Sequence, residues 1–382
     1  MRLRHPDGTV VHLGYCTNVH AAEDLDGVLS QLAGYGEPIR RTLGVDRLGL
    51  GLWLARDVVT ELSADPAAVR RLRSELSARG LEVVTLNAFP YQGFHDEVVK
   101  KAVYLPDWLD EARLRYTVDC ARVLAALLPD DVVRGSVSTL PLAWRHPWSL
   151  AHADQARHAL DRLGAELAAV ADKTGRPVRV GLEPEPGCVL EHTAAAAEFL
   201  AGVDSSWIGL CLDTCHLAVA WEDPVAALAG LAAAGVPIVK VQASCALQAD
   251  RPADPVTRAE LTRFTEPRFL HQAKEFSGGQ VHSADDLPAS ELPAQGPWRV
   301  HYHVPLHADA RPPLRTTRDH LVSTLDALFS GPDARCDHIE VETYTWSVLP
   351  DSGIGIVDGI ASELSWARDA LLAAGLKEEP TS

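Results

Sequence analysis

Residues 65–89 read "DPAAVRRLRSELSARGLEVVTLNAF". Asp65 can cap a helix N-terminus, and Pro66 suits its first turn, where a missing N–H costs nothing. Val69, Leu72 and Leu76 then form one apolar stripe at helical spacing, and Gly80 supplies the left-handed residue that ends the helix. Residues 81–87 then read as a strand. The stretch therefore predicts a helix that hands over to a strand through a single glycine.

The same grammar recurs at 149–183 and 223–243. In the first, Ser149 caps a helix carrying Leu160, Leu163, Leu167 and Val170, Gly175 ends it, and "PVRVGLE" follows as a strand. In the second, Asp223 and Pro224 open a helix, Gly235 closes it, and "PIVKVQA" is the strand. Working outward, strands are expected at 10–16, 47–54, 81–87, 132–139, 177–183, 207–213, 236–243 and 337–344, nearly all separated by helices. This alternation points to a (β/α)8 TIM barrel rather than an open doubly wound sheet. No G-x-G-x-x-G turn follows the first strand, which argues against a dinucleotide-binding fold.

The rhythm breaks after the seventh strand, in a segment rich in Pro, Asp, Glu and Ala that ends "SADDLPASELPAQGP" (283–297). Long loops in compact domains usually carry function. Residues 1–376 are expected to form one domain, with 244–310 an elaborated loop on the active-site rim and an extra strand near "WRVHYHVPLH". Residues 377–382, "KEEPTS", are expected to be a disordered tail.

In such a barrel, chemistry gathers at the C-terminal ends of the strands, and side chains alternate between the interior and the helix layer. In "VRVGLE", Val180 and Leu182 then face the helices, and Glu183 faces inward as the last residue. In "WIGLCLD", Asp213 takes the same place, and in "HIEVE", Glu342 lies nearer the rim than Glu340. Three carboxylates in one dry volume raise one another's pKa unless a cation compensates them. A divalent metal (Mn, Zn, Mg or Co) is the expected solution.

The element "CLDTCH" (211–216) also carries two cysteines and a histidine. Cys211 and Cys215 lack the spacing of a redox pair, and no second cysteine pair completes a zinc ribbon. His216 follows Asp213 by three residues, so one turn of chain returns it to the same side. The Asp and the His are read as functional, and the cysteines as packing, with Cys215 lacking a partner at ligand spacing. All seven cysteines are expected to be reduced. His271 in "RFLHQ" and His303 in "HYH" are further candidate metal ligands from the rim segment, whereas His301 is read as packing. His5, His146, His152 and His158 are read as surface residues. Asn18 and His20 in "YCTNVH", with Asn87 and His95 in "TLNAFPYQGFH", are candidate hydroxyl-binding groups, as is Gln242.

A net charge of −17 sets an overall field that repels nucleic acid and favours neutral or metal-bridged small substrates. No apolar run is long enough to span a bilayer, and the N-terminus lacks a signal-peptide h-region, so a cytoplasmic protein is expected.

"VGLE" ending one strand, "CLDTCH" the next and "VET" the last resemble the xylose isomerase-like TIM barrels, which include sugar isomerases, ketose 3-epimerases and metal-dependent AP endonucleases. With "YCTNVH", "LEPEPGC", "RFLHQ" and "HYHVPLH", the resemblance is closer still to the EboE family of metabolite traffic proteins and covers nearly the whole chain. It implies Glu183, Asp213 and Glu342 as metal ligands, His216 as a further ligand in sites with more than one metal, and Glu183 and Glu342 as acid and base. The chain departs from the pattern at the seventh strand, where a metal-binding His is usual and "VKVQAS" offers Gln242. His303 or His271 is expected to take that role. The leading functional expectation is a metal-dependent isomerase or epimerase of a sugar, sugar-phosphate or cyclitol-like metabolite, although no Arg or Lys is identified for a phosphate. One alternative is a non-catalytic metabolite carrier serving partner proteins of a traffic pathway. Another is an AP-endonuclease-like phosphodiester hydrolase, which the acidic charge disfavours.

Overall fold

The computed structural model describes residues 1–289, 291–351 and 353–379. Eight parallel strands form its centre: β1 (Val10–Cys16), β2 (Leu48–Trp53), β3 (Leu81–Asn87), β4 (Gly135–Thr139), β5 (Val178–Leu182), β6 (Ile208–Asp213), β7 (Ile238–Ala243) and β8 (His338–Val341). Each pairs with the next in sequence, and β8 pairs with β1, which closes the barrel. The (β/α)8 architecture expected from the sequence is the one observed.

The local signals act as expected. Asp65 accepts a hydrogen bond from the Ala67 amide at the start of helix Pro66–Ala78, and Gly80 takes a φ of +67° just beyond its end. Ser149 and Asp223 cap helices Leu150–Thr174 and Pro224–Ala233 in the same way. Val180, Leu182, Leu210, Leu212 and Val341 are buried in one continuous apolar core with the leucines of the helices. Among the described residues, no helix is long and apolar enough to cross a membrane.

Two regions differ from expectation. The segment after β7 is not a plain loop. It builds a five-stranded antiparallel sheet from Leu247–Ala249, Ala273–Ser277, Gln280–Ala284, Trp298–Val300 and Arg315–Thr316. Its Trp298, Val300 and Leu247 are buried, and this core sets the course of the chain through residues 301–305. At the C-terminus, Lys377–Glu378 is a strand rather than frayed chain, because the backbone of Leu3 and Arg4 pairs with it. The remaining tail positions 380–382 lie outside the described residues.

Within the barrel, Lys240 of β7 and Glu340 of β8 form a fully buried ion pair. Gly51 on β2 makes room for it, since a Cβ there would lie 1.7 Å from Glu340 Oε1. The signal was present in the sequence as a lysine among the valines and isoleucine of "IVKV" (238–241).

Candidate active site

Glu183 and Glu342 directly follow β5 and β8, and Asp213 ends β6. All three are buried, and one carboxylate oxygen from each lies within 4.8 Å of the other two. Burial pushes the Glu183 carboxyl well above the usual range, and the neighbouring Glu342 and Asp213 push it further. Glu342 is raised in the same way, first by burial and then by Asp213 and Glu340.

Each carboxylate is held by named donors. Asn18 Nδ2 and Asn87 Nδ2 both donate to Glu342 Oε1, at 2.8 and 3.0 Å, so the other oxygen is left for a ligand. Asp213 Oδ1 accepts from the Ser244 hydroxyl and from the His216 amide, each at 2.8 Å. The second of these bonds caps the short helix Thr214–Val219, which is why His216 returns to the strand end. Cys211 Sγ lies 3.5 Å from Glu183 Oε2 as a buried thiol donor.

His303 arrives from the inserted segment. Its Nδ1 is 2.8 Å from the Glu342 carbonyl oxygen, and its Nε2 lies 3.8 Å from Asp213 Oδ2. Both Nε2 and Oδ2 are buried without a hydrogen-bond partner among the described residues. Burial pushes the imidazole down to about 4, which leaves it neutral at ordinary pH. A neutral imidazole beside three convergent carboxylates, with His303 Nε2 and Asp213 Oδ2 both lacking a partner among the described residues, forms a donor set that fits a divalent cation.

Asn18, Asn87, Glu183, Glu342, His216 and His303 line one cavity. Other candidates do not reach it. His271 has both ring nitrogens engaged, Nε2 with Glu266 Oε1 at 2.7 Å and Nδ1 with the His301 carbonyl at 3.0 Å, so neither is free for a cation. His20 stacks on Tyr35 with ring centroids 4.0 Å apart and meets the Tyr15 hydroxyl. His95 packs against Trp53 and Phe94. Gln242 is buried in register with Asp213 and Glu340, and its amide has no hydrogen-bond partner among the described residues. His5, expected at the surface, is buried with Nε2 at 2.9 Å from the Phe329 carbonyl.

Three residues that carried no functional reading in the sequence belong to the site. His301, expected to be packing, lines the cavity with its Nε2 3.0 Å from that of His216. Glu185, two positions after Glu183, also lines it and accepts from the Tyr104 hydroxyl at 2.7 Å. Cys215, expected to lack neighbours at ligand spacing, has ring nitrogens of His301 and His303 within 4.8 Å, though burial holds it as a thiol.

The cavity lining also includes apolar side chains, among them Phe89, Phe94, Val99, Val103, Phe269 and Leu270. Among the described residues Lys100 is the one Lys or Arg on the lining, and its ammonium donates to the carbonyls of Glu266 and Phe269 and to Asp286 Oδ2. The Val99 and Lys100 amides both donate to the Arg268 carbonyl, so the loop after β3 is tied to the inserted segment above the cavity.

The comparisons agree with this architecture. A family model described as "Xylose isomerase-like TIM barrel" matches residues 41–255. Among solved structures, an L-ribulose 3-epimerase is 15% identical with a TM-score of 0.51, over 95% of each chain. The IOLI protein with a bound zinc atom is 13% identical with a TM-score of 0.51, over 95% of this chain and 99% of that one. A xylose isomerase-like TIM barrel protein from Mycobacterium smegmatis in complex with magnesium is 15% identical with a TM-score of 0.50, over 97% of this chain and 94% of that one. No curated protein matches by sequence. The family model spans more than half of the chain, and the closed barrel carries its features: the chain belongs to the xylose isomerase-like TIM-barrel family.

Proposed function

We propose that this protein is a metal-dependent isomerase or epimerase of an unphosphorylated sugar-like or cyclitol-like metabolite. The observation that carries the reading is the convergence of Glu183, Asp213, Glu342 and the free His303 Nε2 at the barrel mouth. These four would hold the cation. When bound, a divalent metal acts as a Lewis acid toward adjacent oxygens of a hydroxyketone.

The residues of the chain do the rest. Glu183 and Glu342 serve as the proton-transfer pair at the carbon beside the carbonyl, one removing the proton and the other returning it. The two amide donors on Glu342 Oε1 aim its second oxygen and keep it from rotating. The tie between the loop after β3 and the inserted segment limits the entry of water. A phosphorylated substrate is disfavoured because Lys100, the one Lys or Arg on the lining among the described residues, already donates to three acceptors. The apolar part of the lining suits a substrate whose far end is less polar than a sugar chain. A place among EboE-like proteins of a metabolite traffic or biosynthesis pathway, in the cytoplasm, is consistent with this reading.

The test is solvent deuterium exchange into candidate ketoses and cyclitol-like ketones, with protein reconstituted in Mn2+ or Zn2+. Wild type should exchange the proton beside the carbonyl. Metal-loaded Glu342→Gln should lose about 10²–10⁴-fold in exchange rate, the usual worth of a general acid–base group. Tight binding of a metabolite by wild type with no exchange would reject the isomerase and leave the carrier.

A further inference from the structure

The inserted sheet runs in the order Gln280–Ala284, Ala273–Ser277, Trp298–Val300, Leu247–Ala249, Arg315–Thr316, so Gln280–Ala284 lies at one edge. A turn at Gly278 and Gly279, with φ of +58° and +76°, joins it to Ala273–Ser277 and sets Ser277 opposite Gln280. Residues flanking such a turn form a hydrogen-bonded pair, and bonded and non-bonded pairs then alternate along an antiparallel ladder. Gln280, His282 and Ala284 therefore bond inward, and the N–H and C=O groups of Val281 and Ser283 point outward. Phe276 confirms the phase: opposite Val281, its amide turns away and donates to the Pro297 carbonyl at 3.2 Å. Among the described residues, no backbone group bonds Val281 or Ser283 from the outer side.

Edge strands are usually protected by brevity, charge, proline, a bulge or a cover. The opposite edge, Arg315–Thr316, follows that rule: it has 2 residues, carries a charge and comes shortly after Pro312 and Pro313. Gln280–Ala284 has 5 residues, no acidic or basic charge at neutral pH, no proline and an unbroken register with its neighbour. Beside it, Phe276 and Val281 face each other across the two strands and are 43% and 39% exposed. The Phe276 ring rests 5.5 Å from that of Trp221, centroid to centroid. The edge thus offers an apolar step together with unpaired backbone groups.

We propose that two copies of this chain pair through Gln280–Ala284, antiparallel about a twofold axis at His282. This register sets Val281 of each copy opposite Ser283 of the other, so every outward N–H and C=O of both strands finds a partner. The Phe276 and Val281 steps of the two copies meet diagonally on one face. A net charge of −17 opposes self-association unless like charges stay apart, and here they do. Asp285 and Asp286, next along the chain, fall opposite Gly279 and Gly278 of the second copy. Both are already compensated, Asp285 by Arg145 and Lys101 and Asp286 by Lys100. A ladder this short is small beside the interfaces of obligate dimers, so the pairing is reversible at micromolar concentration. It does not depend on the isomerase reading, since no residue of the cavity takes part.

The experiment is analytical ultracentrifugation of the full chain across the micromolar range. Wild type should show a concentration-dependent equilibrium between monomer and dimer. Val281→Pro removes an outward N–H and leaves the inward bonds of the hairpin in place. It should weaken the dimer by about 10–100-fold, through the backbone bonds lost on both sides of the axis, with the melting temperature of the monomer little changed. Crosslinking tests the register and stands even if the proline variant folds poorly. At the axis, His282 faces its own copy in a non-hydrogen-bonded pair, where Cα atoms stand about 4.5 Å apart, within reach of a disulfide. The native thiols are all buried. Mild oxidation of His282→Cys should therefore give a reducible dimer, whereas Gln280→Cys, set opposite Ala284 of the second copy, should not. A wild type that stays monomeric throughout the range, a dimer that Val281→Pro leaves intact, or equal crosslinking at 280 and 282 would each overturn the pairing.

Discussion

Replacing Lys240 with methionine should unfold the barrel far more easily than any surface change. Lys240 and Glu340 are both fully buried, and the ammonium also donates to Ser138 Oγ at 3.4 Å. Methionine keeps the apolar stem and removes the cation. Glu340 is then left facing the β2 backbone at Gly51, with an Oε1 that already lacks a hydrogen-bond partner among the described residues. Removing one partner of a buried ion pair costs about 3–5 kcal/mol, because an uncompensated charge stays in low dielectric. That is a loss of about 10²–10⁴-fold in the folding equilibrium, at about 1.4 kcal/mol per tenfold. In the double variant Lys240→Met/Glu340→Gln no charge remains, so most of the loss should return, with a coupling of about 2–3 kcal/mol. The assay is urea unfolding of chelator-treated wild type, both single variants and the double variant, so that metal binding adds nothing to stability. A cost below about 1 kcal/mol for Lys240→Met, or strict additivity in the double variant, would show that the pair is not the compensated buried unit described here.

Other outcomes follow from the same geometry. Glu363 is buried with its carboxyl pushed up to about 7 by desolvation, although Thr343, Trp346 and the Leu306 amide donate to it. Its folded-state pKa lies above the unfolded value of about 4.5, so its stabilising contribution is full below pH 4.5 and is lost as pH rises through 7. The stability gap between wild type and Glu363→Gln should therefore shrink by about 3 kcal/mol between pH 4.5 and 8 in metal-free protein, and a gap independent of pH would refute this. All seven cysteines are buried and free, so thiol titration should find few reactive in the native protein and seven after unfolding. Cys215→Ser should retain its metal, because the Cys215 thiol is held neutral by burial, and loss of metal in this variant would contradict that assignment.

The eight strands, their helices and the three strand-end carboxylates were legible in the chain because local rules encode them. Period-two alternation placed Glu183, Asp213 and Glu342 on the inner face, and caps such as Asp65 and Gly80 marked where helices begin and end. His216 was legible for the same reason, since one helical turn separates it from Asp213. The other residues of the candidate site depend on contacts that no local period records. His301 and His303 stand about 90 residues beyond β6 in sequence. They reach it only because the inserted sheet packs Trp298 and Val300 and directs the chain that follows toward the barrel mouth. His271, the second candidate on sequence, is consumed by Glu266, and His20 and His95 by aromatic neighbours. Lys240 and Glu340 find each other only when β7 and β8 pair. Alternation along one strand determines which face a side chain takes, but the partner across the barrel is decided by closure and by what the insertion carries over its rim.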